Sequence, residues 1–357
     1  MISRDVKALD QSSAVFDRLK EYSTLFERLD VVVMGRKPKH VKYSNTEKLY
    51  IYDTTSKSKL ISLIKTFLKT LKIARKSTNG DTWISSQDPF ESGLLAFVIA
   101  KISHIKLQVQ FHTDCFNIQF IKHRVINYFR ALAARFIFVR ADSVRVVSDR
   151  IKSSLLTFDF GLATKIHVLP IWTDVESIQK SVVSNDWNLR NKFPEFKKII
   201  LIIARLESEK NIELSLRAFK KVLRINNEVG LIIAGNGSKE NWLKNLTKSL
   251  GIERNVRFLG WVGDTASLYK TSDILLVTSF YEGYGLNMVE AVACGCPVVA
   301  TDVGVSKELD VTIVTYDAGQ IAIVLKEVLD QSQSLKIPEE FIISKQRYLE
   351  GFKNTFN

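Results

Sequence analysis

Short apolar runs rich in β-branched residues recur along the chain and alternate with amphipathic segments. The run Ile199–Ile203 is apolar throughout, which is typical of a central strand in a parallel sheet. Ile212–Ile225 and Lys239–Leu250 instead repeat their apolar residues at helical spacing. The predicted strands form two series: Asp30–Met34, Thr82–Ser85, Lys106–His112, Ser143–Ser148 and Lys165–Leu169, then Lys198–Ala204, Val229–Ala234, Val256–Leu259, Asp273–Thr278, Pro297–Thr301 and Val311–Val314. Strands that alternate with helices predict parallel sheets covered by helices on both faces.

The stretch from Leu169 to Phe196 separates the two series of strands. It is largely polar and contains Pro170 and Pro194, so we expect a hinge there. The sequence therefore predicts an α/β protein with two Rossmann-like domains, and we expect these domains to face each other across a cleft. In such sheets, ligands bind at the carboxyl ends of the strands, where the N-termini of helices point at phosphate groups.

The composition excludes several classes of protein. Of the 357 residues, 46% are hydrophobic and 25% are charged, as in soluble globular proteins, so a disordered or collagen-like chain is excluded. No apolar run reaches the roughly 18 residues that a membrane span needs, and no apolar signal-peptide core follows Met1. The three cysteines, Cys115, Cys294 and Cys296, suit a reducing compartment and lack the spacing of a zinc site. We therefore expect a cytoplasmic protein without a structural metal.

The positive charge is unevenly distributed. Residues 1–180 contain 29 Lys or Arg and 17 Asp or Glu, whereas the remainder contains 22 and 21. Lys57–Lys76 and Lys122–Arg145 interleave basic and apolar residues, as in helices that lie on anionic membranes. An ordinary packed helix with a solvated lysine face explains the pattern equally well, and both interpretations stay open. No recognised nucleic-acid module is present, so we do not expect a nucleic-acid partner.

The stretch from Thr278 to Glu290 has the features of an anion-binding loop. Its sequence, TSFYEGYGLNMVE, predicts a strand end, a loop with two glycines and a helix that begins near Leu286. Glycine allows a ligand to approach the backbone closely, and a helix N-terminus offers N–H groups to an anion. Glu290 lies one turn into this helix and could accept hydrogen bonds from ribose hydroxyls. The Gly-x-Gly pattern alone is also common in ordinary turns.

This stretch carries a resemblance to a known family. Glu282 and Glu290 are separated by seven residues in EGYGLNMVE, and the sequence then continues into CGCPVVAT. The combination resembles the signature of family-4 retaining glycosyltransferases, also called glycosyl transferases group 1. The resemblance implies the GT-B fold, a nucleotide-sugar donor and a reaction that retains the anomeric configuration without a metal or other cofactor.

The segment ARLESEKN supplies two candidate catalytic cations. Arg205 and Lys210 resemble the family's R-L-x-x-x-K segment, whose Arg and Lys hold the donor diphosphate. Departure of a nucleoside diphosphate leaves negative charge on phosphate oxygens, which two fixed cations can stabilise. Without the resemblance, Arg205 and Glu209 could equally form an ion pair on a solvated helix surface.

The resemblance also assigns the remaining donor contacts. Glu282 and the loop backbone position the sugar, and Glu290 holds the ribose. Trp261 and Val262 lie near the nucleobase, although a position in the core is the ordinary interpretation for Trp261. The further residues assigned to donor binding are Gly235, Asn236, Gly237, Gly283, Tyr284, Gly285, Leu286 and Asn287.

The first half of the chain matches the family less closely. His112, in QFHTD at a strand end, resembles the histidine that contacts the donor sugar, while the alternative is a hydrogen-bonded histidine at a strand terminus. The family usually opens with a full strand and a glycine-containing loop. Here at most Met1–Ser3 forms such a strand, and no glycine precedes Gly35. Either the first strand is very short or the true start lies upstream.

These observations lead to one interpretation of the whole chain. Residues 1–170 form an acceptor-binding domain, residues 171–337 bind the donor, and the tail from about 338 to 357 packs back on the first domain, as the resemblance implies. The protein is expected to be a hexosyltransferase that moves a sugar from a UDP- or GDP-sugar to a saccharide or lipid-linked acceptor in cell-surface polysaccharide synthesis. We expect a cytoplasmic protein, and a peripheral position on the inner face of the cytoplasmic membrane is one of the two open interpretations of its basic helices. The alternatives are a non-catalytic sugar-nucleotide-binding subunit and a GT-B sugar-nucleotide epimerase.

Overall fold

The computed structural model divides the chain into two compact units. The first contains Met1–Pro170 and Lys345–Asn357, and the second is Ile171–Ser344. Residues 338–344, which the sequence analysis placed in the returning tail, belong to the second unit. The described residues are 1–36, 45–76, 81–331 and 335–357.

The described part of the first unit contains a parallel sheet of seven strands in the order β3-β2-β1-β4-β5-β6-β7. Its strands are β1 Ile2–Ser3, β2 Leu29–Val33, β3 Leu49–Asp53, β4 Trp83–Ser86, β5 Lys106–Phe111, β6 Ser143–Val146 and β7 Ile166–Val168. Its helices are α1 Ala14–Ser23, α2 Lys59–Ala74, α3 Glu91–Ser103, α4 Ile118–His123, α5 Val125–Arg140, α6 Asp149–Leu156 and the last helix of the chain, α14 Lys345–Asn354. The sheet includes β3, which the sequence pattern did not predict.

The short strand β1 occupies a central place in this sheet. Ile2 is paired with Val32 of β2 on one side and with Ser86 of β4 on the other. Its side chain is fully buried. Both neighbouring strands therefore hold these two residues in register.

The C-terminal segment completes the polar interior of the first unit. β5 buries Gln108 among its apolar residues, and a buried amide needs hydrogen-bond partners. The Gln108 side-chain amide donates to the carbonyl oxygen of Thr355 at 3.0 Å. On the next strand, the buried Arg145 donates from Nη2 to the Tyr348 hydroxyl at 3.0 Å. The return of the chain after Lys345 thus satisfies polar groups that the sheet buries.

Helix α2 packs in an unexpected orientation. The residues that it buries are small or polar, namely Ser62, Thr66, Thr70 and Ala74. Ser62 Oγ accepts a hydrogen bond from the backbone N–H of Gly35 at 2.9 Å, and Thr66 Oγ1 lies 2.7 Å from Thr54 Oγ1. Leu60 is 67% exposed instead. The lysines Lys59, Lys65 and Lys72 are exposed, as in an ordinary packed helix, but part of the apolar stripe is exposed as well, so both interpretations of the sequence stay open for α2.

The second unit contains a parallel sheet of six strands, within the described residues, in the order β10-β9-β8-β11-β12-β13. Its strands are β8 Lys198–Ile203, β9 Val229–Ala234, β10 Val256–Gly260, β11 Ile274–Val277, β12 Val298–Thr301 and β13 Thr312–Val314. Its helices are α7 Val175–Lys180, α8 Leu189–Lys192, α9 Ile212–Leu223, α10 Glu240–Leu250, α11 Thr265–Thr271, α12 Leu286–Ala293 and α13 Ala318–Asp330. These six strands confirm the second predicted series, and every strand end lies within one residue of its predicted position.

The strand order creates a switch point beside β8. The chain leaves β8 for β9 on one side and later returns to β11 on the other side. Connections that depart in opposite directions leave a crevice at the carboxyl ends of the two strands, where α/β sheets bind ligands. The core beneath this crevice is apolar, with Ile200, Phe219 and Leu325 fully buried.

Two further sequence expectations concern membrane spans and cysteines. In the described ranges of the chain, no helix combines the length and the apolar character needed to cross a membrane. The thiols of Cys115 and Cys296 are buried, and Cys294 is partly exposed; all three cysteines are free.

Candidate active site

The loops that follow β8 and β11 are joined at the switch point. The backbone N–H of Phe280 donates to the carbonyl oxygen of Glu209 at 2.9 Å. Thr278 Oγ1 donates to the carbonyl oxygen of Asn211 at 2.9 Å. The structure thus brings together two segments that the sequence analysis assigned separately to the donor diphosphate and the donor sugar.

The centre of this junction is an ion pair between two predicted site residues. Lys210 Nζ lies 2.5 Å from Glu282 Oε1, and the side chains are only 14% and 11% exposed. Ser279 Oγ donates to the same carboxylate oxygen at 2.8 Å. Because an ammonium group carries three N–H donors, Lys210 can bind Glu282 and still offer a proton to a phosphate oxygen. The sequence indicated both residues but not their contact.

Arg205 occupies a very different environment. Its guanidinium is 72% exposed and donates to Glu209 Oε1 at 2.9 Å, four residues further along the chain. The surface ion pair that the sequence analysis kept as an alternative is therefore present in this structure. An exposed guanidinium presents further N–H donors to an incoming phosphate.

Glu290 projects from α12 toward α11. Its Oε2 accepts a hydrogen bond from the Tyr269 hydroxyl at 3.1 Å. Burial raises the pKa of the Glu290 carboxyl above its ordinary value, and hydrogen bonds from Tyr269 and Thr265 oppose this rise in part. Sequence reasoning missed Tyr269 and Thr265, because neither belongs to the motif that contains Glu290.

The raised pKa of Glu290 predicts a pH-dependent stability. Because its pKa is higher in the folded state than in the unfolded state, ionisation of Glu290 disfavours the folded state, increasingly so as the pH rises through the folded-state pKa. We therefore expect Glu290→Gln to be more stable than the wild type at neutral pH. The difference in stability between Glu290→Gln and the wild type should disappear below the ordinary carboxyl pKa of 4.5. Thermal unfolding of both proteins from about pH 4 to about pH 8 measures this.

A matched control separates this effect from general changes in charge. Glu327, on the exposed side of α13, provides the control substitution Glu327→Gln. We expect the difference in stability between Glu327→Gln and the wild type to change much less over the same pH range. A constant difference for Glu290→Gln at all pH values would contradict the prediction.

The glycine loop after β9 lies against the loop after β8. Gly235 has a φ of +132°, and a Cβ atom at this position would lie 1.9 Å from the carbonyl oxygen of Ala204. A Cβ on Gly237 would lie 2.3 Å from the carbonyl oxygen of Leu206. The close approach of the two loops therefore requires both glycines. Asn236 between them is exposed, and its carbonyl oxygen accepts from the Leu206 backbone N–H at 2.9 Å.

Trp261 and Val262 follow β10 and differ in burial. Trp261 is 74% exposed, so its assignment to the core is wrong. Val262 is buried. The exposed indole offers a flat apolar surface at the carboxyl end of the sheet, on which a ring can stack.

The loop that begins α12 is fixed to the end of β8. Gly285 initiates the helix with a φ of +90°, a conformation that favours glycine. The Asn287 side-chain amide donates to the carbonyl oxygen of Ile203 at 3.1 Å. Tyr284 is buried, and its carbonyl oxygen accepts from the Val305 backbone N–H at 2.9 Å. Gly283 and Leu286 are partly buried beside them. The N-terminus of α12 is therefore held at the switch point, where it favours negative charge.

His112 lies in the first unit, directly after β5. Its Nε2 is 3.0 Å from Gln110 Oε1, which also accepts from Arg145 Nη1 at 3.1 Å. Because this oxygen can only accept, Nε2 carries the proton and Nδ1 is left as an acceptor. Burial, together with the positive charges of Arg145 and Arg18, lowers the pKa of His112 to about 3. The imidazole is therefore neutral, and its contact with a donor sugar stays a prediction.

Solved structures with the same architecture define the fold. The chain is similar to Anabaena HepE in complex with UDP-glucose, with a TM-score of 0.73 at 18% identity over 99% of this chain and 97% of that one. It is also similar to WaaG, a glycosyltransferase involved in lipopolysaccharide biosynthesis, with a TM-score of 0.67 at 14% identity over 95% and 90% of the two chains. The two parallel-sheet units therefore form the GT-B fold.

The family comparison identifies the second unit more closely. Residues 184–333 match the family model for glycosyl transferases group 1. This match covers most of the second unit, which is therefore similar to the domain that this family model describes.

The curated relatives are matched over part of their length. An uncharacterised glycosyltransferase of Methanocaldococcus jannaschii is 43% identical over 110 residues, which are 30% of this chain and 28% of the relative. The alpha-monoglucosyldiacylglycerol synthase of Streptococcus pneumoniae is 29% identical over 66% of this chain and 54% of its own length. The chain thus spans between about a quarter and about half of these two relatives.

Proposed function

We propose that this protein transfers a sugar from a nucleotide-activated donor to a saccharide or lipid-linked acceptor, as a family-4 retaining enzyme. The observation that carries the proposal is the Lys210–Glu282 pair at the junction of the loops after β8 and β11. A cation fixed at a switch point, next to the N-terminus of α12, suits a diphosphate. The resemblance of the motif to retaining enzymes supports the stereochemical course.

The proposed roles follow from the surroundings of each residue. Arg205 and Lys210 stabilise the negative charge on the leaving diphosphate. Glu290 accepts hydrogen bonds from the ribose, while the exposed Trp261 stacks on the base. Glu282 and the backbone of the loop that precedes α12 position the sugar. The neutral His112 of the first unit accepts a hydrogen bond from a sugar hydroxyl through Nδ1.

We propose further that the reaction requires no divalent cation. Two cationic side chains and a helix N-terminus can supply the charge that a metal ion supplies elsewhere. The donor is proposed to be a UDP- or GDP-sugar. HepE was solved with UDP-glucose and Staphylococcus aureus TarM with UDP, which makes UDP the first nucleotide to test.

The acceptor is proposed to belong to cell-surface glycoconjugates. Support comes from WaaG and from the pneumococcal synthase, whose names refer to lipopolysaccharide and to a glycosylated diacylglycerol. The excess of basic residues in the first 180 positions suits an acceptor at an anionic membrane, and we propose a peripheral position on its inner face.

Nucleotide-dependent thermal stability tests the donor site. UDP, GDP, ADP and CMP are added separately to the purified protein, with and without magnesium. A ligand at 100 times its Kd stabilises the folded state by about 2.7 kcal/mol. We expect one nucleotide to raise the midpoint without metal, and we expect Glu290→Ala to abolish the shift. Glu327→Ala serves as the control and should keep it. The absence of a shift with all four nucleotides would contradict the proposed donor site.

Product analysis separates the transferase from its alternatives. The donor that corresponds to the binding nucleotide is incubated with and without mixed saccharide and lipid-linked acceptors. We expect nucleotide release to depend on an acceptor. Conversion of the sugar without any acceptor would indicate the epimerase, whereas nucleotide binding without turnover would indicate the non-catalytic subunit.

A further inference from the structure

Helices α2 to α5 of the first unit expose an unusual amount of apolar surface. In the described chain, fifteen of the 23 large apolar side chains with high solvent exposure lie on these four helices. Contiguous apolar patches of this kind are rare on monomeric proteins and mark interaction sites. We call the solvent-exposed side chains of these helices the α2–α5 face.

Helix α2 shows that this exposure is built into the fold. Its polar and small residues are buried and hydrogen-bonded, so its apolar stripe is turned outward as a consequence. Leu60, Ile64 and Leu68 repeat every four residues along the exposed side. An amphipathic helix normally buries such a stripe, and here nothing in the first unit covers it within the described residues.

The stripe continues across the neighbouring helices. α3 packs against both α2 and α5, so the three helices lie side by side. α3 exposes Leu94, Val98 and Ile102, again at intervals of four residues. On α5, Val125 is 82% exposed and Phe129 is also exposed. The apolar surface is therefore continuous over several helices rather than confined to one.

The charge of the same helices indicates the partner. α2, α4 and α5 contain no acidic residue, whereas the four helices carry nine Lys or Arg side chains. The one acidic residue of α3, Glu91, is bonded to Arg4 at 3.0 Å and to Arg130 at 2.7 Å. A second copy of this chain would bring the same positive charge against this face, and like charges would repel. An anionic surface matches it.

We propose that the α2–α5 face docks the protein onto an anionic lipid bilayer. The apolar side chains enter the boundary between headgroups and acyl chains. Long basic side chains such as Lys59, Lys65 and Lys72 on α2 reach the lipid phosphates while their methylene groups cover apolar surface. This inference gives a surface to the membrane position proposed above, and its contacts lie entirely within the first unit.

Binding to vesicles tests the proposal with the full chain. The protein is sedimented with vesicles of phosphatidylcholine alone and with vesicles that contain about 30% phosphatidylglycerol. We expect at least about tenfold tighter binding to the anionic vesicles, since each basic side chain near the bilayer surface is attracted to anionic lipid by about 1 kcal/mol. Raising the salt from about 0.05 to about 0.5 M should weaken the binding by about tenfold or more.

Two triple variants divide the apolar contribution from the charge. The substitutions Leu60→Gln, Ile64→Gln and Leu68→Gln should lower binding by at least about tenfold, because apolar burial is lost. The substitutions Lys59→Gln, Lys65→Gln and Lys72→Gln should remove much of the preference for anionic lipid. All six residues are exposed, and glutamine is a good helix former, so we expect both variants to fold. Far-UV circular dichroism can verify this.

Matched controls come from the second unit. Val182, Ile225 and Ile323 are exposed apolar residues outside the α2–α5 face, and their replacement by glutamine should leave vesicle binding unchanged. Lys221→Gln, Lys248→Gln and Lys326→Gln make the same change of net charge as the α2 lysine variant. Equal losses in the control and α2 variants would overturn the proposed surface.

The remaining outcomes distinguish this inference from the proposed function. Absence of vesicle binding, with an unchanged nucleotide-induced thermal shift, would overturn the membrane surface and leave the donor site intact. Vesicle binding without any nucleotide-induced thermal shift would support the membrane surface and contradict the proposed donor site. The wild type could instead form a salt-independent dimer that is lost in the triple variant at Leu60, Ile64 and Leu68. This result would assign the α2–α5 face to a second copy of the chain and would also overturn the proposal.

Discussion

Arg205→Ala is expected to lower turnover at least about a hundredfold while the protein stays folded. Loss of one fixed donor at a site of developing negative charge costs about 3–4 kcal/mol in related cases. The Arg205 guanidinium is 72% exposed, whereas the Glu209 side chain that it pairs with is only 13% exposed. Arg205→Ala leaves this carboxylate without its cation, so we expect the free energy of unfolding to fall by more than the roughly 1 kcal/mol typical of a fully exposed pair, without loss of the fold. The measurement is kcat at saturating donor, accompanied by the midpoint of thermal unfolding.

The chain offers a closely matched control for Arg205. Arg217 forms the same kind of ion pair with Glu213, at 2.7 Å and four residues apart, on the exposed side of α9. Arg217→Ala removes an equal charge and an ion pair of the same spacing away from the proposed site, with a carboxylate that is 40% exposed. We expect its turnover to stay near that of the wild type. Near-normal turnover of Arg205→Ala would remove Arg205 from the proposed mechanism.

The second unit shows what apolar patterning can predict. β8 and β9 are buried along nearly their whole length, and both appear in the sequence as continuous apolar runs. A strand covered on both faces leaves such a run because neither side meets water. The predicted strand Asp273–Thr278 is shorter by one residue at each end in the structure, where Ile274–Val277 forms β11. Strand ends depend on hydrogen bonds from neighbours, which the pattern does not contain.

Helix α2 shows where the pattern fails. Apolar periodicity predicts the helix and the width of its stripe, but the stripe alone does not tell whether core, solvent or lipid covers it. Residues outside the helix decide which side of α2 is buried. The backbone of Gly35 and the side chain of Thr54 form hydrogen bonds with polar residues of α2, so that its polar side faces the core. The same sequence pattern was therefore compatible with two opposite orientations.

The candidate site divides in the same way. The resemblance of two separate motifs to family-4 glycosyltransferases indicated Lys210 and Glu282. Their contact joins positions 72 residues apart and depends on the adjacency of β8 and β11 in the sheet. Tyr269 was missed for the same reason, because it reaches Glu290 from another helix. Local sequence can indicate which residues act, whereas the strand order decides which of them meet.

Lys210→Met is expected to reduce turnover by about a hundredfold to a thousandfold, in the range seen for loss of an electrostatic donor. This substitution should also destabilise the fold. It leaves the Glu282 carboxylate, which is 11% exposed, without its cation. Removing one partner of a buried ion pair costs about 3–5 kcal/mol. The two losses are measured by kcat and by denaturant unfolding.

A second substitution separates the two losses. Adding Glu282→Gln to Lys210→Met removes the uncompensated charge, and the remaining amide oxygen can still accept from Ser279. We expect most of the free energy of unfolding to return, because no buried carboxylate is then left unpaired. Turnover should stay low, because the cation that we propose to stabilise the leaving diphosphate is still absent. If turnover recovered together with stability, Lys210 would act only by holding Glu282, and stabilisation of the diphosphate would rest on Arg205 and the N-terminus of α12.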